Sequence, residues 1–335
     1  MAGLSRRWTA VLAAVVVGLA VLGIGLGRLW SAGPRLPQPR LLEIAAGSSR
    51  GQIAQQLRQA GAIGSAWEFD LWTRLHVGST LKAGVYQFPG GQSVPDVFHT
   101  LSRGLVYTIP VTIPEGYNRF DIARELEQKG LAAAAAFLAA TASPAPIRDL
   151  DPEAVSLEGY LFPATYHISP HTPVERIVAM MTNRFRQEVR HDQPANVHRW
   201  VTLASLIQKE TAVPAELALI AGVFDNRLQR GVPLQCDPTV IYAALLANAY
   251  TGSLHAADLK RASPYNTYVR AGLPPGPIAN PGRASLEAAQ HPDQTDYLYF
   301  VSNGAGAHRF AVTLSEQQKN VELYLTALRK KHRNP

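Results

Sequence analysis

The stretch "LLEIAAGSSRGQIAQQLRQAGAI" (Leu41–Ile63) recurs without a gap as "PVTIPEGYNRFDIARELEQKGLA" (Pro110–Ala132). The match rests on six identical pairs, in which Ile44, Gly47, Ile53, Ala54, Leu57 and Gly61 correspond to Ile113, Gly116, Ile122, Ala123, Leu126 and Gly130. Each copy predicts a short strand, a glycine turn and a helix that ends at glycine, with apolar residues at i, i+1 and i+4. Two copies indicate a duplicated unit, because a solenoid needs about three or more.

Further regular elements flank the two copies and predict an α+β fold. After the first copy we expect a helix (Ala66–Leu75), a strand ("LKAGVYQF") and a helix (Val94–Arg103), so that residues 41–107 form a small β-α-α-β module. Residues 108–330 form a second, mixed α+β domain, in which we expect a helix (Leu131–Ala140), an extended segment ("LEGYLFPATYHIS"), a helix (Pro173–Arg190), a hairpin ("DYLYFVS-NGAG-AHRFAVT") and a last helix capped by Ser315 and Gln318.

A segment without charge, "WTAVLAAVVVGLAVLGIGLG" (Trp8–Gly27), lies near the N-terminus. At 1.5 Å per residue it spans about 30 Å, the thickness of a bilayer core. Trp8 and Trp30 flank it like interfacial anchors, and a cleaved signal peptide would have a shorter apolar region. We therefore expect residues 1–30 to be a cytoplasmic tip and a single-pass anchor, with the rest of the chain outside the cytoplasm. Three prolines in residues 31–40 predict a stiff linker.

Composition excludes several functional classes. The net charge of +7 comes from 32 basic and 25 acidic residues without a dense Lys/Arg block, so we expect no nucleic-acid partner. A basic surface would suit an anionic membrane or an anionic polymer. The single Cys236 excludes an internal disulfide and a multi-cysteine metal site, and the histidines lack HExxH spacing. We expect neither a metal nor a cofactor.

Glu210 is the strongest candidate for chemistry. In "WVTLASLIQKE" (Trp200–Glu210), it shares one helical face with Leu203, Leu206 and Ile207. Burial and the C-terminal end of the helix dipole both raise the pKa of a carboxyl there, which suits a general acid near neutral pH. The structural alternative is a glutamate at the edge of the core that pairs with an arginine.

A second group of candidates lies in polar and irregular segments. The proline-rich stretch "SPYNTYVRAGLPPGPIANPG" (Ser263–Gly282) cannot be helical and is too apolar for a disordered segment, so it predicts one wall of a ligand cleft. Asp237 is explained as the N-cap of a helix with Pro238 at its first position. The candidate substrate-binding residues are Asn226, Gln235, Tyr265, Asn266 and Tyr268. A structural role remains open for each.

Several long motifs, in order, resemble those of the endolytic murein transglycosylases, membrane-anchored enzymes that cut the glycan strands of peptidoglycan. The motifs are "LEGYLFPATY", "LASLIQKET", "AGVFDNRLQRGVPLQCDPTVIY", "SPYNTYVRAGLPPGPIANPG" and "TDYLYFVSNGAGAHRF". The resemblance implies that Glu210 in "KET" is catalytic and that residues 41–107 are similar to a LysM fold. It also implies a location in the inner membrane, with the catalytic domain on the periplasmic side. One departure is Gln208, where members often have a second Glu.

The resemblance implies cleavage of the bond between N-acetylmuramic acid and N-acetylglucosamine without water, which leaves 1,6-anhydro ends and terminates the growth of nascent strands. Peptidoglycan synthases are candidate partners. Glu158 in "LEGY" is the candidate second carboxylate, which we interpret as orienting the substrate. Two alternatives remain open. One is a hydrolytic muramidase, which would require a second carboxylate near Glu210, and the other is a non-catalytic anchor that binds the cell wall.

Overall fold

The computed structural model describes residues 6–191 and 193–333, and the chain divides into two compact units, Met1–Ile109 and Pro110–Pro335. The helices in these residues are α1 (Arg6–Leu29), α2 (Arg50–Gln59), α3 (Ala66–Leu75), α4 (Val94–Arg103), α5 (Arg119–Gln128), α6 (Ala134–Ala142), α7 (Val174–Glu188), α8 (Val197–Glu210), α9 (Leu217–Gln229), α10 (Asp237–Leu246), α11 (Arg283–Gln290) and α12 (Leu314–Arg333). The strands are β1 (Arg35–Ile44), β2 (Gly84–Gly90), β3 (Ile109–Thr112), β4 (Thr165–Ile168), β5 (Tyr299–Ser302) and β6 (His308–Ala311), paired as β1–β2, β3–β4 and β5–β6. The predicted α+β class is confirmed, and the first five residues of the predicted cytoplasmic tip and anchor, residues 1–30, lie outside the described residues.

The first unit has the predicted β-α-α-β order. β1 and β2 pair antiparallel from Ile44 opposite Gly84 to Arg35 opposite Gly90, and α2 and α3 lie between them in the chain. Its core contains Leu57, Phe69, Phe88 and Leu101, all fully buried. The likeness of this unit to a LysM fold stays a prediction.

The segment predicted as a linker, residues 31–40, is folded against the first unit. The Gly33 N–H donates to the Gln92 carbonyl at 2.9 Å, and the Pro34 carbonyl accepts from the Gly91 N–H at 2.8 Å. Its second half belongs to β1, whose register shifts between Arg35 and Arg40. This irregularity accommodates the prolines, which have no N–H to donate to the neighbouring strand. Their number suggests a linker in the sequence, although the segment is folded.

Helix α1 includes a candidate membrane span, Trp8–Leu29, with a mean hydropathy of 2.6. By length and composition it fits a single-pass anchor or a signal sequence. Its last residue, Leu29, is 4% exposed and belongs to the core of the first unit. The C-terminal end of α1 is therefore packed into the first unit, whereas the rest of the span is exposed.

The two sequence copies adopt the same local structure. Gly47 and Gly116 take left-handed φ angles of 82° and 79° at the turn after each strand. A capping box opens the helix in both copies, with Ser49 as the N-cap of α2 and Asn118 as the N-cap of α5. The duplicated strand–turn–helix unit is confirmed.

The second unit is built around α8, which packs against α9, α10 and α11. Between Trp200 and Ile207 every residue of α8 is buried, so the helix forms the centre of the unit. Two details differ from the predictions. The predicted extended segment is a strand only at β4, and Thr313 with Glu316 forms the cap of α12 in place of Ser315 with Gln318.

Candidate active site

Glu210 is the last residue of α8, and its side chain enters a cleft of about 480 Å³ in the second unit. We call this the Glu210 cleft. Its lining consists of Glu210, Arg227, Leu234, Gln235, Asp237, Tyr268, Tyr299, Phe300, Val301, Ser302, His308, Leu314 and Gln317. Three of the residues singled out from the sequence, Glu210, Gln235 and Tyr268, therefore meet in one cleft.

The surroundings of Glu210 favour its protonated form. Burial raises the pKa of this carboxyl, and the nearby Asp237 carboxylate raises it further. The Cys236 thiol, which hydrogen-bonds the carboxyl, acts in the opposite direction, as do the charges of His308 and Arg227. The net shift is upward, so Glu210 keeps its proton to a higher pH than an exposed glutamate does.

Arg227 contributes a cation to the lining. Its Nε donates to the Leu298 carbonyl at 2.6 Å, and its Nη1 donates to the carbonyls of Pro233 and Leu234 at 3.2 and 2.7 Å. Its guanidinium carbon lies over the ring of Tyr299, 5.2 Å from the ring centre. Main-chain oxygens and an aromatic face thus hold the guanidinium in place.

His308 reaches the cleft from strand β6 and is oriented by a carboxylate. Its Nδ1 lies 2.7 Å from Oε2 of Glu216, and its backbone N–H donates to Oε1 at 2.8 Å. Burial works against the charge of Glu216, but the hydrogen bonds from His308 and Thr211 outweigh it and lower the pKa of this carboxyl. An ionised Glu216 therefore fixes the direction of the imidazole ring.

Asp237 brings a second carboxylate to the cleft. The N-cap of α10 is Cys236, one residue earlier than predicted, so Asp237 is the first residue of the helix. The Tyr268 hydroxyl donates to Oδ1 of Asp237 at 2.5 Å, and burial together with this contact raises the pKa of Tyr268. The residue before Cys236, Gln235, has a φ angle of 51°, a strained conformation for a residue with a side chain.

The Ser263–Gly282 segment contributes Tyr268 to the cleft but buries its other two candidates. Asn266 is fully buried, and its Nδ2 donates to the carbonyls of Leu259 and Arg261 at 3.1 and 2.9 Å. Tyr265 is 8% exposed and packs on Tyr242, with ring centres 5.1 Å apart. The structure gives these two residues contacts that hold the segment in shape.

Glu158 is buried outside the lining of the cleft. Its carboxylate accepts hydrogen bonds from the Arg119 N–H at 3.0 Å and from Nδ2 of Asn280 at 3.0 Å. Burial raises the pKa of Glu158 to about 7, although hydrogen bonds from Arg119 and from Tyr242 lower it. The structure therefore does not bring Glu158 and Glu210 together as a pair of carboxylates in one cleft.

Asn226 and Gln208 hold the elements around the cleft. Nδ2 of Asn226 donates to the carbonyls of Thr295 and Tyr297 at 2.6 and 3.0 Å, which fixes the segment before β5. Oε1 of Gln208 accepts from the Gly282 N–H and from the Ser285 hydroxyl, at 2.9 and 2.8 Å, at the start of α11. Gln208 therefore links the end of α8 to the start of α11, a task for which a neutral amide suffices.

Sequence reasoning does not select Arg227, Asp237 and His308 as site residues. The place of Asp237 at the start of a helix explains it without a ligand, and no pattern separates Arg227 as a lining residue from an exposed one. His308 lies in the hairpin, far along the chain from Glu210. An available signal is the pairing of β5 and β6, since Tyr299 and Phe300 in one strand and His308 in the other line the cleft together.

Comparison with known proteins agrees with this architecture. Residues 42–323 match the YceG-like family. An endolytic murein transglycosylase of Bacillus subtilis strain 168 is 36% identical over 312 residues, which cover 87% of this chain and 86% of that protein. One from Streptococcus pneumoniae strain D39 is 31% identical over 314 residues, which cover 83% of this chain and 57% of that protein.

A solved structure is similar as well. The crystal structure of a YceG-like protein from Listeria monocytogenes has a TM-score of 0.55 and 33% sequence identity, with 84% of this chain and 99% of that chain covered. The match in sequence extends over both units, from the first strand to the last helix. The chain is a member of the YceG-like family.

Proposed function

We propose that this protein is an endolytic lytic transglycosylase that cuts the glycan strands of peptidoglycan between N-acetylmuramic acid and N-acetylglucosamine. The observation that carries the proposal is Glu210, a carboxyl with a raised pKa at the end of a buried helix and in the wall of a cleft. The names of the relatives in Bacillus and Streptococcus support the same activity.

The first step uses Glu210 as a general acid. Its O–H donates a proton to the glycosidic oxygen as the bond from that oxygen to C1 of the muramic acid breaks. The N-acetylglucosamine unit leaves with a new hydroxyl group. A raised pKa supports this step, because a carboxyl that has already lost its proton cannot donate one.

The second step uses the resulting carboxylate as a base. It takes the proton from the C6 hydroxyl of the same muramic acid, and O6 forms a bond to C1. Glu210 is thereby returned to its protonated form, the product is a 1,6-anhydro end, and no water is consumed. Between the two steps the positive charge of Arg227 stabilises the Glu210 carboxylate, since the guanidinium lowers the pKa of this group.

A hydrolytic muramidase is the second candidate, and Asp237 is the observation that favours it. Ordinary glycosidases use two carboxylates, one of which places a water molecule or attacks the sugar. Asp237 lines the same cleft as Glu210. Its Oδ1 already accepts the Tyr268 hydroxyl, a contact that suits a residue that shapes the cleft.

The ends of the product strands distinguish the two reactions. The full-length protein digests purified glycan strands in water enriched in ¹⁸O, and the products are then analysed by mass spectrometry. Anhydro ends, one water lighter than reducing ends and free of label, support the transglycosylase. Labelled reducing ends would establish the hydrolase, and uncut strands would support a non-catalytic anchor.

Asp237→Asn gives an independent test of the same choice. Under the transglycosylase mechanism we expect the rate to stay within about tenfold of wild type, because Asn keeps the acceptor for Tyr268 and no water has to be activated. Under the hydrolase mechanism the loss should reach about 10² to 10⁴. Release of strand ends is the measurement, with Glu210→Gln as the inactive reference.

We further propose that α1 is an uncleaved anchor in the inner membrane, with both folded units on the periplasmic side. The burial of Leu29 in the core of the first unit supports retention of this helix, because cleavage would remove a core side chain. From this position the enzyme would cut nascent strands and end their growth, with peptidoglycan synthases as partners. Carbonate-resistant membrane association of the chain at its full mass tests the anchor.

A further inference from the structure

Helix α3 carries an apolar stripe on its exposed side. Trp67, Leu71 and Leu75 recur every four residues, and their exposed fractions are 63%, 42% and 63%. Val77, in the loop after the helix, is 88% exposed. Residues at this spacing share one face of a helix. Contiguous exposed apolar residues of this size mark a surface that contacts a protein or a membrane.

The end of α1 packs against α3 directly beside this stripe. Nε of Arg28 lies 3.7 Å from Oε1 of Glu68, and the rings of Trp30 and Trp72 meet edge to face with centres 5.9 Å apart. Since each residue turns a helix by about 100°, Glu68 and Trp72 lie on the side of α3 next to the stripe. The stripe is therefore adjacent to the point where α1 ends.

The connection between α1 and the first unit is short and fixed. A side-chain carbon at Gly33 would lie 2.5 Å from the Gln92 carbonyl, so only glycine allows this approach. The Pro34 carbonyl accepts from the Gly91 N–H, and β1 pairs with β2 at Arg35 and again from Arg40 onward. These contacts hold the first unit close to the end of α1.

We propose that the stripe formed by Trp67, Leu71, Leu75 and Val77 lies in the lipid–water interface of the membrane that α1 spans. The proposal rests on α1 being an uncleaved anchor. At 1.5 Å per residue the span Trp8–Leu29 is about 33 Å long, close to the thickness of the hydrocarbon layer, so its end reaches the interface.

The side chains around the stripe are those that an interface attracts. Trp30 and Trp72 meet at the end of α1, Trp67 belongs to the stripe on the same helix as Trp72, and tryptophan is enriched at the level of the lipid headgroups. The side chains of Arg28 and Arg74 are 73% and 71% exposed, and each forms an ion pair with a carboxylate of α3, Glu68 and Asp70. Lipid explains the apolar stripe and the neighbouring tryptophans together.

Quenching by brominated lipids tests the depth of the stripe in the full-length protein. The chain is placed in nanodiscs of phosphatidylcholine and phosphatidylglycerol, with a bimane label on Leu71→Cys or, as a second reporter, Leu75→Cys. Val16→Cys in α1 reports insertion of the helix, and Gln55→Cys, an exposed polar position on α2, is the matched control in the same unit. Cys236 is buried, and the unmodified chain measures any background labelling.

We expect brominated acyl chains to quench the label at Val16, Leu71 and Leu75 several-fold more than the label at Gln55. If the label at Val16 is quenched but the labels at Leu71 and Leu75 are quenched no more than the label at Gln55, the proposal is overturned and the anchor is left intact. Absence of quenching at Val16 would overturn the anchor and the proposal with it. Neither result bears on glycan cleavage, which is measured separately.

Discussion

At the scale of single residues, Glu210→Gln provides the most direct test of the mechanism. Glutamine keeps the size and hydrogen bonds of the side chain but cannot deliver a proton, so we expect cleavage to fall by about 10² to 10⁴. The release of strand ends is measured together with thermal unfolding. Lys209→Ala is the matched control, since the neighbouring Lys209 side chain points to the Gly116 carbonyl and away from the cleft. Activity within a few-fold of wild type would exclude Glu210 as the acid.

Glu158 predicts a pH dependence of stability. Its pKa of about 7 in the folded protein lies above the ordinary value of 4.5, so the folded state holds the proton more tightly than the unfolded state. The resulting stabilisation is complete below pH 4.5 and is lost as the pH rises to about 7, a change of roughly 3 kcal/mol in the free energy of unfolding.

The measurement compares denaturant unfolding of wild type and Glu158→Gln across this pH range. We expect the variant to lack the decline, because glutamine does not titrate. The exposed Glu322→Gln controls for the removal of a carboxylate from the chain. Parallel curves for wild type and Glu158→Gln would contradict a raised pKa at this position.

The sequence predicts the structural position of some candidate residues and not that of others. The helical position of Glu210 and its surroundings follow from a local pattern in α8, which the structure reproduces. The placement of Glu158, Tyr265 and Asn266 does not follow from a local pattern. Polar and aromatic residues in an irregular segment can either face a ligand or satisfy buried carbonyls. Only tertiary contacts distinguish these two cases.

At the scale of elements, the Ser263–Gly282 segment is held by Asn266. In Asn266→Ala the carbonyls of Leu259 and Arg261 lose a buried donor, and we expect the free energy of unfolding to fall by about 2 to 4 kcal/mol. Asn183→Ala, at an exposed position of α7, should change it by less than about 0.5 kcal/mol. An Asn266→Ala protein as stable as wild type, with weaker glycan binding, would instead identify Asn266 as a substrate ligand.

The helices are easier to predict than the connections. α3 and α4 begin and end where the periodicity places them, because their apolar faces are local signals, and a capping box at Ser93 also marks the start of α4. The course of residues 31–40 is not predictable in this way, since the hydrogen bonds of Gly33 and Pro34 are made with residues of a distant strand and turn. The proline content indicates a linker, but the segment is folded because it pairs with β2.

At the scale of the whole molecule, two truncations separate the contribution of the candidate membrane span from that of the fold. A fragment that begins at Gly27 retains Leu29, whereas one that begins at Ser31 lacks this buried side chain. Loss of a buried leucine costs about 2 to 5 kcal/mol, so we expect the shorter fragment to have a less stable first unit. Hydrogen exchange at Leu57 and Phe88, in the core of that unit, is the measurement.

Both fragments should cut glycan strands at similar rates, since every residue of the Glu210 cleft belongs to the second unit. Equal exchange protection in the two fragments would show that Leu29 contributes little to the core. Loss of cleavage by the longer fragment, if it is folded, would make the membrane span part of the catalytic unit.

The fixed joint at Gly33 also acts mechanically. A helix that ends in a flexible tether can spin about its own axis without turning the domain beyond the tether, whereas α1 ends in a packed core and cannot. If α1 is the anchor that we propose, a neighbour in the bilayer that binds one side of α1 also sets the orientation of the first unit about the membrane normal. Inserting one residue into the joint would then rotate the first unit by about 100° about the helix axis, provided that the helix continues through the insertion.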